Sequence, residues 1–313
     1  MGHLEQRPPA SHAGRGDAGR ELALLGIIGG SGLYHLEGLD HQRWEEVASP
    51  FGVPSSALLL GELGGSPIAF LPRHGAGHRV APSGINYRAN IDCLKRVGVT
   101  HLLSVNAVGS LREDLPPGTL VLVDQFVDRT TRRTASFFDG GVVAHVSLAH
   151  PVCPTFGDTI AGAARDLGLA ISRGACCVVI EGPQFSTVAE SRLYQGWGCD
   201  LVGMTALPEA RLAREAELCY AMLALVTDYD CWHPDHDAVN VADVMSTMAQ
   251  NADRARAIIR ALPARTATDA ACPSGCQTAL DHAIVTPPEA RDPSAVSRLE
   301  AIAGRVLGRS GSS

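Results

Sequence analysis

Two aspartates follow one of the most apolar stretches of the chain. Asp228 and Asp230 come directly after Ala221–Thr227, and alternate residues of an extended segment point to the same side. We expect their carboxylates to lie close together, which raises the pKa of one of them. A partly protonated carboxyl group can donate to a ring nitrogen and accept from an exocyclic amine, so the pair could bind adenine and assist its departure.

The same aspartates have three other interpretations. They could form a solvated acidic loop, or one of them could cap the start of a helix. They could also bind a metal together with His233 and His236, although the His-Pro-Asp-His spacing fits no standard helical ligand pattern.

Several other apolar runs end in residues that suit an anion. Glycines after Ile28 leave backbone N–H groups free to hold a phosphate, and Arg73 offers a fixed fork of donors beside the imidazole of His74. The segments in such positions are Gly29–Gly32, Arg73–His74, Asn106–Gly109 and Met204–Thr205. Together they predict a site for phosphate or a phosphorylated ligand. Taken singly, the glycines could serve only a turn, and Arg73 could form a surface ion pair.

An aromatic residue with a hydroxyl neighbour could contact a flat ring. Phe185 follows Glu181–Gln184 and precedes Ser186. The phenyl ring could stack on a base, and the serine hydroxyl could bond a ring nitrogen. A buried position in the core is the commoner fate of a phenylalanine and stays the alternative.

These residues need a scaffold that brings several strand ends together. Continuous apolar runs predict strands that are covered on both faces. The predicted strands are Leu22–Ile28, Pro67–Leu71, His101–Val105, Thr119–Val123, Ala175–Ile180 and Ala221–Thr227. Ligands of such sheets bind beyond the carboxyl ends of the strands, which is where the polar residues above occur.

Helical patterns alternate with the predicted strands. Apolar residues recur with a spacing near 3.6 in Asn86–Val97, Thr159–Leu167, Val188–Trp197, Pro208–Glu217 and Val241–Leu262. This alternation predicts an α/β fold of three layers, with a mixed central β-sheet flanked by helices. We expect a disordered lead over residues 1–20, a single domain over 21–265, and a C-terminal extension over 266–313 with a possible last helix at Ser294–Leu307.

Composition excludes several classes of protein. The chain has 313 residues, of which 45% are apolar and 19% are charged, as in globular proteins. The net charge of −7 argues against binding to nucleic acid or to an anionic membrane. No apolar run approaches the roughly 18 residues of a membrane span, and residues 1–20 lack the apolar core of a signal peptide.

The nine cysteines do not form a regular disulfide framework. Most of them, Cys153 and Cys219 among them, lie in apolar or helical patterns and resemble ordinary small core residues. We therefore expect a reducing compartment, the cytoplasm. Cys272 and Cys276 lie in a polar segment, where they could form a disulfide, contribute to a metal site, or remain two exposed thiols.

Ordered blocks of sequence resemble a known family. The blocks are Ile27–Leu33, Arg73–Gly75, Asn86–Asn90, Asn106–Leu111, Asp124–Thr130, Glu181–Ser186, Gly203–Thr205 and Thr227–Trp232. They are similar to those of the trimeric purine nucleoside phosphorylases, and within them to the branch that acts on S-methyl-5′-thioadenosine. The resemblance runs from about Leu24 to Leu262. The tail beyond Pro263 falls outside it, apart from cysteines similar to those of disulfide-bearing microbial relatives.

The resemblance implies a phosphorolysis. Phosphate attacks the anomeric carbon of the nucleoside as the purine leaves, which gives adenine and 5-methylthioribose 1-phosphate. Inorganic phosphate is then a co-substrate, and no cofactor or metal is needed. The implied assembly is a homotrimer or a dimer of trimers.

The resemblance also implies roles for individual residues. It assigns phosphate binding to Ser31, Arg73, His74, the backbone of Ala107, and Thr205. It assigns the ribose to Met204 and Asn106, and the base to Phe185, Ser186, Asp228 and Asp230. Asp228 and Asp230 are the implied catalytic residues, with Asp228 as the proton donor or hydrogen-bond partner at N7 of the purine. The methylthio group would contact Val244 and Met245, with His145 contributed by a neighbouring subunit.

Two features bear on the choice of substrate. Asn106 occupies a place where some members of the family carry threonine, which affects the ribose and phosphate contacts. The Asp-Tyr-Asp segment at Asp228–Asp230 is typical of enzymes that bind adenine. A phosphorylase for 6-oxopurine nucleosides or methylthioinosine, and a nucleoside-binding protein without activity, are the alternatives.

Overall fold

A mixed β-sheet forms the centre of the molecule. The computed structural model describes residues 24–30, 33, 37–234, 241–266 and 270–308, without the side chains of 241–243. Over these residues the sheet has nine strands. They are β1 Leu24–Gly29, β2 Leu39–Glu45, β3 Leu58–Leu63, β4 Ser66–Pro72, β5 Val99–Ser110, β6 Leu120–Asp128, β7 Ser172–Val179, β8 Leu201–Gly203 and β9 Cys219–Asp228.

The strand order is β2-β3-β4-β1-β5-β8-β7-β6-β9, and β9 also pairs with β5. Strands β5, β8, β7, β6 and β9 therefore form a closed ring. Strand β1 is parallel to β4 and β5, and β5 is parallel to β9. Strands β5 and β8, like β6 and β9, are antiparallel. The prediction of a mixed sheet is confirmed.

Helices cover both faces of the sheet. They are α1 Tyr87–Arg96, α2 Pro154–Asp166, α3 Val188–Gly196, α4 Ala206–Glu215, α5 Val241–Ala261, α6 Pro263–Thr266, α7 Pro293–Arg298 and α8 Glu300–Leu307. Along β9, Tyr220 and Met222 pack into the layer of α1 and α4, whereas Ala221 and Leu223 pack into the layer of α2 and α5. Because successive side chains of a strand point to opposite faces, this burial explains the continuous apolar runs.

Each predicted strand overlaps an observed strand, but the sequence patterns did not predict β2, β3 and β8. In β2, five consecutive residues after Leu39 are exposed, so its sequence has no apolar pattern. Strand β8 spans only three residues. The predicted last helix is two helices, because Leu299 ends α7 and precedes α8.

Part of the C-terminal segment packs against the same core as α1 and α4. Ile302 and Ala303 of α8 are buried there. Glu217, only 5% exposed, accepts hydrogen bonds from the backbone N–H of Leu280 at 3.0 Å and from Arg305 Nε at 2.9 Å. Residues far apart in sequence thus hold this segment on the sheet layer. None of the described helices has both the length and the apolar character needed to cross a membrane.

We expect residues 270–308 to unfold together with the rest of the chain. Ile302→Ala should lower the free energy of unfolding by about 2–5 kcal/mol, since it leaves a cavity in the core. Urea denaturation followed by circular dichroism measures this change. Val285→Ala is the control, because Val285 lies in the same segment but is 56% exposed. A separate early transition that alone responds to Ile302→Ala would contradict the prediction.

Candidate active site

A cavity of about 410 Å³ lies where several strands end, within the usual range for small-molecule sites. Residues from the ends of β1, β4, β5, β8 and β9 contribute to its wall, together with α5. The sequence-predicted residues that line it are Arg73, His74, Asn106, Ala107, Phe185, Ser186, Met204, Thr205, Asp228, Asp230, Val244 and Met245. Ser31 lies outside the described residues. His145 is exposed and does not line the cavity within this chain.

The guanidinium of Arg73 is held by partners within the protein. Its Nε donates to Glu209 Oε2 at 3.0 Å and its Nη1 to the carbonyl of Val105 at 3.0 Å. Its Nη2 lies 2.8 Å from Ser104 Oγ and 3.3 Å from the carbonyl of Ile28. The guanidinium of Arg73 is therefore not the free fork of donors that was expected, because Glu209 occupies the position opposite it that a phosphate would take. One Nη1–H remains without a partner among these hydrogen bonds.

His74 is buried as a neutral imidazole. Its Nδ1 lies 2.8 Å from the carbonyl oxygen of Val80, and since a carbonyl only accepts, Nδ1 carries the proton. The ring stacks on His78 with 4.1 Å between centroids. Burial lowers the pKa of His74 to about 4. At neutral pH its Nε2 is therefore a hydrogen-bond acceptor.

A chain of hydrogen bonds orients the hydroxyl of Thr205. Asn106 Nδ2 donates to Thr205 Oγ1 at 2.7 Å, and Asn106 Oδ1 lies 2.7 Å from Ser104 Oγ. Because Thr205 Oγ1 accepts from Asn106, its own proton can point to a ligand. Thr205 makes no side-chain cap, and the backbone two residues further, at Leu207, is extended rather than helical. The Thr205 hydroxyl is therefore not used by a helix and stays available to a ligand.

Asp228 is the carboxylate at the end of β9. Its Oδ2 accepts from Thr227 Oγ1 at 2.6 Å and its Oδ1 from the backbone N–H of Asp230 at 2.8 Å. Burial raises the pKa of Asp228 against the effect of these hydrogen bonds. A β-carbon at Gly109 would lie 2.8 Å from Asp228 Oδ1, so the close approach of β5 to this carboxylate requires glycine.

Asp230 does not continue the strand as predicted. Its backbone is left-handed, with φ of 54°, and its carboxylate accepts a hydrogen bond from Ser191 Oγ in α3. Burial raises the pKa of Asp230 as well. The expectation that an extended segment aligns the two carboxylates is wrong, because the chain turns directly after Asp228. Burial, rather than mutual repulsion, is the main cause of both shifts.

The alternative metal site of these aspartates gains no support. His233 stacks on Tyr229, with ring centroids 4.7 Å apart, and His236 lies outside the described residues. Among the described residues, no third metal-ligating side chain joins Asp228 and Asp230 in a cluster.

The remaining wall of the cavity is mostly apolar. Phe185 is 45% exposed rather than part of the core. Val244 and Met245 lie on α5, and Met248, one turn further along this helix, also lines the cavity. Sequence reasoning missed Met248, although its spacing of four residues from Val244 places both on one helix face.

Glu209 is another residue that sequence reasoning missed. It is buried in α4 with only 1% exposed, and it also accepts a hydrogen bond from Tyr220 at 3.2 Å. The available signal was an acidic residue at position 209 within the apolar pattern of this helix, since a buried carboxylate needs a partner.

Comparison with known proteins agrees with this architecture. The profile of the phosphorylase superfamily matches residues 24–263. The chain belongs to this superfamily, and the family resemblance of its motifs is confirmed. The S-methyl-5'-thioadenosine phosphorylase of Rhodospirillum rubrum is 56% identical over 286 residues, which cover 91% of this chain and 97% of the relative. The aligned part of this chain is longer than residues 1–263 together, so it must include residues beyond position 263. The resemblance thus continues past Pro263, contrary to expectation.

Solved structures show the same fold. A methylthioadenosine phosphorylase from an Antarctic soil metagenomic library has a TM-score of 0.84 and 46% identity, with 90% of this chain and 99% of that one covered. The methylthioadenosine phosphorylase of Schistosoma mansoni in complex with adenine has a TM-score of 0.78 and 37% identity, with coverage of 82% and 97%.

The burial of His74 predicts a pH dependence of stability. Its pKa is about 4 in the folded chain and about 6.5 in an unfolded one. Between these values the unfolded state binds more protons, so this contribution to stability decreases as the pH falls from about 6.5 to about 4. His74→Gln removes it, and the wild type should therefore lose more stability than the variant over this interval. Urea denaturation of both proteins across the interval measures the difference, and parallel pH profiles would contradict it.

Proposed function

We propose that the chain catalyses the phosphate-dependent, reversible cleavage of S-methyl-5′-thioadenosine to adenine and S-methyl-5-thio-α-D-ribose 1-phosphate. One observation carries this proposal. A single cavity holds hydrogen-bonding groups suited to phosphate around Thr205, a buried carboxyl group at Asp228, and an apolar wall on α5. The names of the relatives support the same reaction.

Phosphate binds at the end of the cavity near Thr205. The Thr205 hydroxyl and the remaining Nη1–H of Arg73 donate to it, with the backbone at Ala107 alongside. Since His74 Nε2 is an acceptor, it takes a hydrogen bond from the protonated oxygen of the phosphate dianion. Ser31, assigned from the family resemblance, completes this set in our proposal.

The base binds between Phe185, Ser186 and the two aspartates. In the reaction a phosphate oxygen bonds to C1′ of the ribose, the bond from C1′ to the purine breaks, and its electron pair moves to the purine. Burial favours the protonated form of Asp228, which can donate to N7 as negative charge develops there. Phosphate on the other side stabilises the positive charge of the ribosyl transition state.

The ribose and its 5′ substituent occupy the middle of the cavity and the α5 wall. Met204 and Asn106 contact the ribose. The methylthio group is surrounded by Val244, Met245 and Met248. This apolar wall favours a thioether over a hydroxyl, because it offers a hydroxyl no hydrogen-bond partner. Discrimination by such a wall is modest, roughly 1–3 kcal/mol.

Phosphate is a co-substrate in this proposal, and the reaction needs no cofactor. We propose a homotrimer or a dimer of trimers in which His145 reaches the cavity of a neighbouring subunit. Apolar side chains on α3 and directly after it, those of Val188, Leu193 and Trp197, are 43–47% exposed, which suits a surface between subunits. No disulfide joins the cysteines of the described residues, which suits the cytoplasm.

Three nucleosides test the reaction. The purified protein receives methylthioadenosine, methylthioinosine or inosine, each with and without phosphate, and free base is measured. We expect release of adenine from methylthioadenosine only with phosphate. Preference for methylthioinosine or inosine would favour a 6-oxopurine phosphorylase. Release of base without phosphate would indicate a hydrolase. If no base is released from any of the three nucleosides, the proposal of a catalytic function is wrong.

Replacement of Asp228 tests its role as the acid. Asp228→Asn should lower kcat for methylthioadenosine by about 10²–10⁴-fold, the usual contribution of a positioned acid, and shift base preference toward a 6-oxopurine. Steady-state kinetics with methylthioadenosine and methylthioinosine measures the change. An unchanged ratio between the two substrates would contradict the assignment.

Replacement of Thr205 tests the phosphate end of the cavity. Thr205→Val keeps the shape but removes the donor. Since a hydrogen bond to a charged group contributes about 1.5–3 kcal/mol, KM for phosphate should rise about 10- to 100-fold, with little change in KM for the nucleoside. Thr205→Ser keeps the hydroxyl and is the matched control. Equal effects of both substitutions would refute the role of the hydroxyl.

A further inference from the structure

Four cysteines from three segments meet at one point, and none of them lines the cavity of the candidate active site. Cys153 caps the start of α2, and Cys219 begins β9. Cys272 and Cys276 come from the C-terminal segment. The sulfur atoms of these four residues, the thiol cluster, all lie within 4.8 Å of one another.

The burial of the thiol cluster corrects one sequence interpretation. Cys276 is only 1% exposed and Cys272 is half-buried, so they are not two solvent-exposed thiols. Cys153 and Cys219 are buried as expected for core residues, but they face other sulfurs rather than only apolar neighbours. The sequence did not indicate this contact, because the four residues span more than a hundred positions.

The spacing of the sulfurs suits one tetrahedral ion. With zinc–sulfur bonds of about 2.3 Å, tetrahedral geometry places the ligand sulfurs about 3.8 Å apart. Cys153 Sγ and Cys272 Sγ are 3.5 Å apart, which is longer than the roughly 2.05 Å of a disulfide. Four thiolates are a typical ligand set of structural zinc, and soft sulfur ligands select zinc over the harder divalent cations.

Donors around the thiol cluster point to thiolates. The backbone N–H of Phe156 lies 3.4 Å from Cys153 Sγ, at the positive end of α2. Arg214 Nη1 lies 3.8 Å from Cys276 Sγ, and Gln277 Nε2 lies 4.0 Å from Cys219 Sγ. Such outer donors stabilise the negative charge of metal-bound sulfur and orient the ligands, whereas a disulfide gains little from them.

The loop that carries two of the ligands is itself ordered. The N–H of Gly275 donates to the carbonyl of Cys272 at 2.9 Å, and Gly275 has a left-handed backbone with φ of 68°. The N–H of Cys272 donates to Gln277 Oε1 at 2.9 Å, which fixes the amide that faces Cys219. Thr155 Oγ1 and Ser274 Oγ, 2.7 Å apart, join this loop to α2. The turn thus presents both sulfurs to the core.

We propose that the thiol cluster binds one zinc ion in a tetrahedral site that joins the C-terminal segment to α2 and β9. The role of this ion is structural, because all four positions around it are taken by protein sulfurs. Its binding stabilises the folded chain, since the unfolded chain has no preformed site.

Metal analysis of the full chain tests this proposal. The protein is purified under reducing conditions without added chelator, and its metal content is measured by mass spectrometry of the elements. We expect about one zinc per chain in the wild type and in Cys176→Ser, a matched control at a half-buried cysteine outside the cluster. Cys272→Ser should lose most of the zinc. A wild type without zinc, whether its cluster thiols are free or joined in disulfides, would overturn the proposal.

Cobalt provides a second measurement that does not depend on a variant. After removal of zinc with a chelator, the wild type titrated with Co²⁺ should saturate at one ion and show the visible absorption of tetrahedral cobalt with thiolate ligands. The urea midpoint should fall on zinc removal and recover on zinc addition. The weaker visible absorption of octahedral cobalt would argue against a site formed by the thiol cluster.

Discussion

The buried ion pair of Arg73 and Glu209 fixes the base of the cavity. Both side chains are almost fully buried, and removal of one member of such a pair costs roughly 3–5 kcal/mol because the other charge is left without compensation. The pair joins the end of β4 to α4, while Arg73 also donates to carbonyls near the end of β1 and in the middle of β5. Through Ser104 and Asn106 the same network reaches the hydroxyl of Thr205.

Burial has opposite effects on the two kinds of titratable group in the cavity. It lowers the pKa of His74 and raises that of Asp228, and in both cases it favours the neutral form. Since Glu209 compensates the charge of Arg73, the side chains around the cavity contribute little net charge. In our proposal the phosphate then supplies most of the negative charge beneath the sugar, and Asp228 supplies a proton on the other side.

The closed ring of strands explains why distant sequence segments share one site. Strand β9 pairs with both β5 and β6, so the end of β9 lies beside Gly109 of β5. The absence of a side chain at Gly109 lets Asp228 approach β5 closely. At the opposite end of β9, its first residue, Cys219, contacts the cysteines of the C-terminal segment.

Sequence patterns predicted six of the nine described strands, the main helices and most of the polar residues that line the cavity, because buried strands are continuously apolar and ligand groups follow their ends. The partner that each polar group takes depends on contacts between distant segments. Glu209 and Arg73 are far apart in sequence, and only the packing of α4 against the sheet at β5 and β9 brings them together. The carboxylate of Asp230 accepts a hydrogen bond from Ser191 in α3, and the four cysteines meet only because three segments fold together. Such contacts between distant residues leave no local periodicity, so only the folded chain specifies them.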